Sequence, residues 1–251
     1  GFEQRKHLLN RTMVGLCKRH LNDIENLDLK QSLDLILTPE LFDEPVNNYY
    51  HQLTASDYKD LYTSDDVHPG EQFINRAYAD NDLEELEQFG HERYTAMISW
   101  INQRIYKQET SIHWKLFVFL HNLVPTRCFE LGHKAAFLYI KLLFESCFNS
   151  YKDFIYNVTL DPSMLDFLNL ALSQKDTPDE NYAREVQELF TVGKRPFAKF
   201  TEKDVREIAR ALVGWTYDYD KLVFSEGTDP HVFFDDHNHD TGDKEFSSFY
   251  N

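Results

Sequence analysis

The stretch PDENYAREVQELFTVG, residues 178–193, predicts one well-bounded helix and indicates the fold class of the chain. Pro178 suits the first position of a helix that begins near Thr177, and Gly193 suits a left-handed stop at its end. Apolar residues at three- and four-residue steps predict the buried side of this helix: Tyr182, Val186, Leu189 and Phe190. A helix with one apolar side needs other helices or a sheet to cover it.

A second side of the same helix is polar: Asn181, Arg184, Glu185 and Glu188. At 3.6 residues per turn, positions 181, 185 and 188 align within about one-sixth of a turn. Arg184 lies four residues after Glu180 and four before Glu188, and such pairs stabilise a solvated helix face. The simplest interpretation is a solvent-exposed helix face that local ion pairs stabilise.

Two other interpretations of this polar side stay open. In the first, it turns inward and meets Arg206 and Arg210 of the next helix as a buried network. Such a network must be fully paired, because an isolated buried charge costs several kcal/mol. In the second, Glu185 and Glu188 form a catalytic carboxylate pair, with Arg184 as their charged neighbour.

The segment TEKDVREIARALVGW, residues 201–215, predicts the next helix. Thr201 is its N-cap, Asp204 takes the capping-box position, and Gly214 ends it. Helical patterns recur along most of the chain, and only 9 glycines and 8 prolines interrupt its 251 residues. We therefore expect a mainly α fold, a multi-helix, bundle-like domain with long loops and little or no β-structure. Short strands are expected at two places: KLVF (221–224) and HVFF (231–234).

Apolar periodicity predicts several further helices. The short segment LKQSLDLIL is expected to bury four anchors: Leu29, Leu33, Ile36 and Leu37. Asp161 is the expected N-cap of another helix, with Pro162 at its first position. Longer helical patterns cover three ranges: 82–108, 113–124 and 130–148.

The charge of the chain bounds its function. The formal net charge is −16, so a duplex or an anionic membrane would repel the surface and general nucleic-acid or lipid binding is not expected. No apolar run approaches the roughly 20 residues of a membrane span. Residues 39–90 hold 13 Asp or Glu against Lys59 and Arg76. We expect one helical domain over residues 1–251, with an acidic irregular insertion at about 39–81 that is solvated or faces a partner.

The cysteine pattern indicates neither a disulfide scaffold nor a zinc site. The chain has three cysteines, Cys17, Cys128 and Cys147, and no C-x-x-C motif. Cys128 and Cys147 are either free thiols or a pair formed in an oxidising compartment.

Both quoted helices resemble a bacterial family called domain of unknown function 1800. Its pattern reads PNENFARELMELFTLG and then YTExDVRExARALTGW. Four shorter stretches match in the same order: HLLNRT (7–12) resembles HLLxRxGFG, HWKLFVFLHNLVPT (113–126) resembles REKMALFWHNHFAT, DPSMLDFLN (161–169) resembles DPAMLxYLDN, and HDTGDK (239–244) resembles HDxGxK. The family's WHxH becomes LHNL at 120–123, so its second His is missing. If the two histidines bind a metal in the family, this chain has lost one ligand.

The resemblance implies a setting and not a reaction. Members of the family usually continue for about as many residues again, so the chain is expected to match the N-terminal half of the family domain. They are often exported bacterial proteins, frequently encoded beside sulfatase-like exported proteins. The resemblance therefore implies a periplasmic or extracellular location, and a sulfatase-like exported protein as the partner.

The segment HNHDTGDK, beginning at His237, is the best metal candidate. His237 and His239 point the same way if the segment is extended, and Asp240 adds an oxygen ligand, so a divalent metal is the candidate cofactor. The alternative is a polar turn in which Asp240 bonds its own backbone, with Lys244 pairing to it.

His121 lies in a very apolar helix and is interpreted either as a core histidine with a satisfied ring or as a ligand. Its neighbour Asn122 suits a buried hydrogen bond to a loop. If both face Glu185 and Glu188, the scattered polar motifs form one site. The full set of binding candidates is His121, Asn122, Asn181, Arg206, Arg210, Trp215 and Lys244.

Two classes of function follow from these patterns. In the first, the chain is an interaction or scaffold module that binds a partner protein through its acidic surface. In the second, it is a hydrolase-like enzyme that uses a metal or a carboxylate pair. The enzyme hypothesis predicts that one pocket gathers five side chains: His121, Glu185, Glu188, His239 and Asp240.

Overall fold

A computed structural model describes residues 1–45, 70–76, 83–194, 196 and 198–250, without the side chains of 83–89, 91–92 and 128–129. Most of the predicted acidic insertion at about 39–81 therefore lies outside the described residues. Among the described helices, none has the length and apolar character needed to cross a membrane.

The fold is mainly α, as predicted. The described residues form eleven α-helices: α1 Phe2–Thr12, α2 Lys18–Asp23, α3 Leu29–Ile36, α4 Leu83–Tyr106, α5 His113–Leu123, α6 Gly132–Glu145, α7 Tyr151–Thr159, α8 Pro162–Phe167, α9 Asn181–Glu185, α10 Glu202–Leu212 and α11 Tyr219–Phe224. A π-helix, Val186–Thr191, continues α9. Four 3-10 turns complete the helical part: Cys128–Leu131, Ser146–Phe148, Leu170–Leu172 and Asp236–Asn238.

The β-structure of the described chain is one small antiparallel sheet. Strand β1, Trp215–Tyr217, pairs with β2, Val232–Phe234, and Trp215 lies opposite Phe234. The strand predicted at HVFF is confirmed. The strand predicted at KLVF is wrong, because Asp218 accepts a hydrogen bond from the backbone N–H of Lys221 and caps helix α11 instead.

The described chain divides into two compact units. The first unit comprises Gly1–Ile74, Ala79–Asn122 and Ile140–Ser150. The second comprises Asn75–Tyr78, Leu123–Tyr139 and Tyr151–Asn251. The expectation of a single domain over 1–251 stays a prediction.

In the first unit, α1 and α3 share a buried cluster of four side chains: Leu9, Met13, Ile24 and Ile36. Ile36 is buried as predicted, but the burial predicted for three leucines is wrong. Their exposed fractions are 70% for Leu29, 37% for Leu33 and 54% for Leu37. Helix α3 instead buries the side that contains Ser32, whose hydroxyl donates to the carbonyl of Asp28 and so needs no other partner.

Two of the three cysteines in the chain have a described side chain. Cys17 is an exposed free thiol, and Cys147 is a free thiol that donates to the carbonyl oxygen of Leu143 at 3.3 Å. Burial raises the pKa of Cys147 to about 12, which keeps it a thiol at neutral pH.

In the second unit, α9 and α10 enclose a cluster of small and aromatic side chains: Ala183, Ala198, Phe200, Val205 and Ala209. The predicted start of α10 is confirmed: Thr201 is the N-cap, and its hydroxyl and the Asp204 carboxylate bond each other's backbone N–H groups. The predicted cap of α8 is also confirmed, with Asp161 accepting from Ser163 at 2.8 Å.

The helix of the opening stretch differs from its prediction at both ends. It begins at Asn181 and not near Thr177, because Asp179 accepts a hydrogen bond from the backbone N–H of Asn181. The π-helix then changes which residues of this segment face the core. Leu189, predicted to be buried, is 49% exposed, and Gln187 is buried in its place. Gly193 ends the segment with φ of +94°, as predicted.

Candidate functional site

The polar side of α9 and the following π-helix is held by one arginine. Arg184 pairs with Glu180 at 3.0 Å and with Glu188 at 3.8 Å, so both predicted local pairs are present. Both terminal nitrogens of Arg184 also donate to Glu202 at the start of α10, at 2.9 and 3.3 Å. The hydrogen bonds that Arg184 donates to Glu202 are the largest cause of its raised pKa. Glu202 was not a predicted partner.

The remaining candidates on these helices do not join this group. Asn181 and Arg206 are exposed, and within the described residues Arg206 forms no ion pair. Glu185 is half-buried, and its Oε2 is buried without a hydrogen-bond partner among the described atoms. Glu188 also lies 3.8 Å from Lys194. The expected meeting of Glu185 and Glu188 with Arg206 and Arg210 is not formed.

Arg210 instead binds the motif at 239–244. Its Nε donates to Asp240 Oδ2 at 2.6 Å and its Nη2 to Asp240 Oδ1 at 3.2 Å, which is a bidentate ion pair. Its Nη1 donates to Glu207 Oε2 at 2.7 Å. These carboxylates raise the pKa of Arg210, and the guanidinium in turn holds the pKa of Asp240 well below its usual range.

The motif itself is a polar turn, the alternative to a metal site. Asp240 Oδ1 accepts from the backbone N–H of Gly242 at 2.8 Å, and Lys244 donates to the carbonyl oxygens of Asp240 and Gly242. A Cβ at Gly242 would lie 2.9 Å from Nη2 of Arg210, so a larger residue would displace the arginine. Gly242 therefore allows the close approach of the guanidinium to the turn.

The segment after this turn lies along α10. We name residues 239–250 the C-terminal strap. The buried carboxylates of Asp204 and Glu207 accept from the backbone N–H groups of Ser247, at 2.6 Å, and Glu245, at 3.1 Å. The hydroxyl of Tyr250 donates to Gln187 at 2.8 Å. The polar motif of α10 thus fixes the strap onto its own helix.

The structure does not assemble the predicted metal site. His237 is exposed, and His239 Nδ1 donates to the carbonyl oxygen of Val213 at 2.7 Å. Both oxygens of Asp240 are already bonded to Arg210. Across the residues that the structure describes, no group of three or more His, Cys, Asp or Glu is placed to hold a metal ion.

His121 and Asn122 belong to the first unit, and the other candidates belong to the second. Both are exposed, so the prediction of a core histidine and of a buried amide is wrong. The Asn122 amide bonds its own helix, donating to the carbonyl oxygen of Val118 at 2.8 Å, and no loop is needed. A shared pocket of His121 with Glu185 and Glu188 stays a prediction.

Trp215 is half-buried in strand β1, with its ring 5.1 Å from the ring of Phe234. The residue before it, Gly214, has φ of +113°, and a Cβ there would lie 2.9 Å from a ring carbon of Phe234. The Gly-Trp pair therefore turns the chain from α10 into the sheet. This role is structural.

Sequence reasoning missed the partners that come from distant segments: Glu202, Glu207, Glu245 and Ser247. The spacing of Asp204 after Thr201 was a sequence signal for a helix cap, but nothing local indicates that the same carboxylate also binds Ser247, 43 residues away.

Neither the curated proteins nor the solved structures contain a match to this chain. A family profile matches residues 7–249, nearly the whole chain, and its description assigns no reaction. The stretch that it covers includes the Arg184 group, the capped α10 helix and the strap up to Phe249. The chain belongs to the family described as protein of unknown function, DUF1800.

Proposed function

We propose that this chain is an interaction module of an exported bacterial protein, and that it binds another protein through α3. The observation that carries the proposal is a row of exposed leucines in the first unit. We name this set the leucine row: Leu29, Leu33, Leu37 and Leu41.

The leucine row repeats every four residues along and beyond α3. Leu29, at one end, is 70% exposed, and Leu41, at the other end, is 87% exposed. Single exposed leucines are common on soluble proteins, but contiguous apolar patches mark sites of interaction. Leu29 and Leu33 lie one turn apart on α3, a spacing that fits the apolar side of a partner helix, and Leu37 and Leu41 extend the row beyond the helix end.

Helix α3, which carries the first two residues of the leucine row, is anchored to the first unit. The opposite side of α3 contributes Ile36 to the buried cluster of the first unit, and the backbone N–H of Ile112 donates to the Ile36 carbonyl at 2.8 Å. The N-cap Asp28 accepts from Gln31 at 2.8 Å and fixes the start of the helix. A rigid helix loses little conformational entropy when it binds.

The partner class follows from the charge and the family setting. A net charge of −16 favours association with a surface of positive or mixed charge and disfavours nucleic acid. We place the chain in the periplasm or outside the cell, with a sulfatase-like exported protein as its partner. The family resemblance supports both statements.

The alternative is a metal- or carboxylate-dependent hydrolase. Two of its proposed groups are already paired within the second unit: Glu188 lies near Arg184 and Lys194, and Asp240 is held by Arg210. Glu185 is the exception, since its Oε2 has no hydrogen-bond partner among the described atoms. Asp240 is a poor general base, because the Arg210 guanidinium lowers its pKa. The geometry therefore supports binding better than this catalysis.

Binding to the purified sulfatase-like exported protein tests the proposal. The double variant Leu29→Asp, Leu33→Asp should weaken the complex at least about tenfold, because two charges would be buried in an apolar contact. Leu172→Asp is the matched control, since Leu172 is 71% exposed but lies in the second unit. No complex, or a complex equally affected by the control, contradicts the proposal.

A further inference from the structure

The loop between α11 and β2 holds a serine, a histidine and an aspartate that no sequence motif indicated. The hydroxyl oxygen of Ser225 lies 2.8 Å from Nε2 of His231. Nδ1 of the same ring lies 3.6 Å from Oδ1 of Asp229. This is the order of contacts in a serine nucleophile, its base and the acid that orients the base.

The backbone of this loop is fixed at several points. The buried amine of Lys134 donates to the carbonyl oxygen of Ser225. The N–H of Gly227 donates to the carbonyl of Asn75 at 2.8 Å, and the N–H of Asp218 donates to the carbonyl of His231 at 3.0 Å. Fixed backbone positions keep the serine and the imidazole in reach of each other.

His231 has a backbone conformation that non-glycine residues rarely adopt. Its φ is +49°, in the left-handed region. The Asp229 carboxylate accepts from the backbone N–H of His231 at 2.7 Å and so supports this conformation. Such local strain is found most often at functional sites.

The proton of Ser225 has two acceptors in reach. The hydroxyl contacts the carbonyl oxygen of Lys221 at the end of α11 as well as Nε2 of His231. A hydroxyl carries one hydrogen, so rotation of that hydrogen alone selects between the two bonds. The ring accepts it at Nε2 when Nδ1 carries the other proton, toward Asp229.

A donor for a developing negative charge lies next to the serine. Within the described residues, the backbone N–H of Glu226 forms no hydrogen bond. The N–H that follows a nucleophilic serine is one of the two donors of the oxyanion hole in α/β-hydrolases. Ser225 and His231 are both half-buried, so neither residue is fully enclosed by the described chain.

We propose that Ser225 is the nucleophile of an acyl-transfer site that takes small esters. Its oxygen bonds to the ester carbonyl carbon while its proton moves to Nε2 of His231, and the carbonyl becomes an oxyanion near the Glu226 N–H. The tetrahedral centre then expels the alcohol, which takes the proton from Nε2 and leaves an acyl-serine. Water adds by the same route, with His231 as the base, and releases the acid.

Covalent labelling with a fluorophosphonate probe tests the site. The native chain should be labelled at Ser225, located by peptide mass spectrometry. Ser225→Ala should abolish that label, and His231→Asn should slow it at least about a hundredfold. Asn tolerates the left-handed region, so His231→Asn removes the base and keeps the backbone. Ser248→Ala is the matched control, because Ser248 is exposed in the strap.

Two outcomes overturn the proposal. One is the absence of label at Ser225 in a chain whose circular dichroism is native. The other is a labelling rate that His231→Asn leaves unchanged, which would make Ser225 only a contact at the end of α11. The double variant in the leucine row should label at the native rate, so this test and the binding test fail independently.

Discussion

Helix α3 in the first unit and helix α10 in the second differ in what contacts their outer sides. The carboxylates and the arginine of α10 bind the C-terminal strap, so its polar side is used within the chain. The leucine row of α3 is exposed within the part of the chain that the structure describes. The charged motif therefore builds the fold, and the apolar row is the surface available for a partner.

The largest expected effect separates the two sides of α3. Ile36→Ala should lower the free energy of unfolding by about 3 kcal/mol, because it leaves a cavity in the cluster of the first unit. Leu29→Ala should change it by less than about 0.5 kcal/mol, because that side chain is already in water. Urea denaturation measures both. Equal losses would mean that the leucine row is packed against the chain.

A smaller loss is expected from the buried acid of α10. Asp204→Ala removes the acceptor of two backbone N–H groups, those of Thr201 and Ser247, and should cost about 2 kcal/mol. Asp204→Asn retains an acceptor oxygen and should cost less. Arg206→Ala is the control, because Arg206 lies on the same helix, is exposed and forms no ion pair within the described residues. A control loss as large as that of Asp204→Ala would show that the carboxylate does not hold the strap.

The same carboxylate gives a dependence on pH. Burial raises the pKa of Asp204, but the hydrogen bonds from Ser247 and Thr201 outweigh it and bring the pKa down to about 2. Because this value lies below the unfolded value of about 3.9, the contribution to stability is present above pH ~4 and is lost as pH falls toward 2. The stability difference between native chain and Asp204→Ala should shrink over that window. A constant difference would contradict it.

Asp161 at the N-cap of α8 should show the opposite sign. Burial raises its pKa to about 7 against the hydrogen bonds from Ser163 and Met164. Its folded pKa exceeds the unfolded value, so its contribution is full below pH ~4 and is lost as pH rises through about 7. Asp161→Asn still caps the helix and should be more stable than the native chain by about 1 kcal/mol near pH 8. Parallel pH curves would exclude this.

The smallest effect is expected at the Arg184 group. Arg184→Ala should lower the free energy of unfolding by about 0.5 kcal/mol, because these pairs are partly solvated. The loss should vanish in about 1 M salt, where screening is strong. Arg206→Ala, which removes an exposed and unpaired arginine of the described chain, should have no effect. A loss of several kcal/mol at Arg184 would restore the hypothesis of a buried charge network.

The sequence predicted what depends on neighbours along the chain. Thr201 with Asp204, and Asp161 with Pro162, are caps whose partners lie within a few residues, and both are as predicted. The periodicity that predicted a mainly α fold is local in the same sense. The predicted burial of Leu33 was wrong, because the side of α3 that contains Ser32 packs against the first unit. A pattern of apolar residues alone does not show which side of a helix packs against other elements.

The contacts of the candidate site residues join segments that are far apart along the chain, and the sequence predicted these contacts less well than it predicted the helix caps. The motifs containing Arg210 and Asp240 were both identified, but their mutual ion pair, across 30 residues, was not. The candidate metal ligands His237 and His239 are not brought into one group among the described residues, and contacts such as the bond from His239 to Val213 follow from no spacing rule. The arrangement of Ser225 with His231 has no linear signature.

The π-helix at Val186–Thr191 limits the changes in length that this part of the chain can accept. Hydrogen bonds in a π-helix join residues five apart, so its turn holds more residues than an α-turn. Removing one residue there would restore ordinary winding and turn everything upstream by about 100° relative to Phe190. Substitutions on the solvent-exposed side of this segment should therefore be tolerated. Deletion of one residue should disturb the core contacts, so deletions should be rare in functional variants.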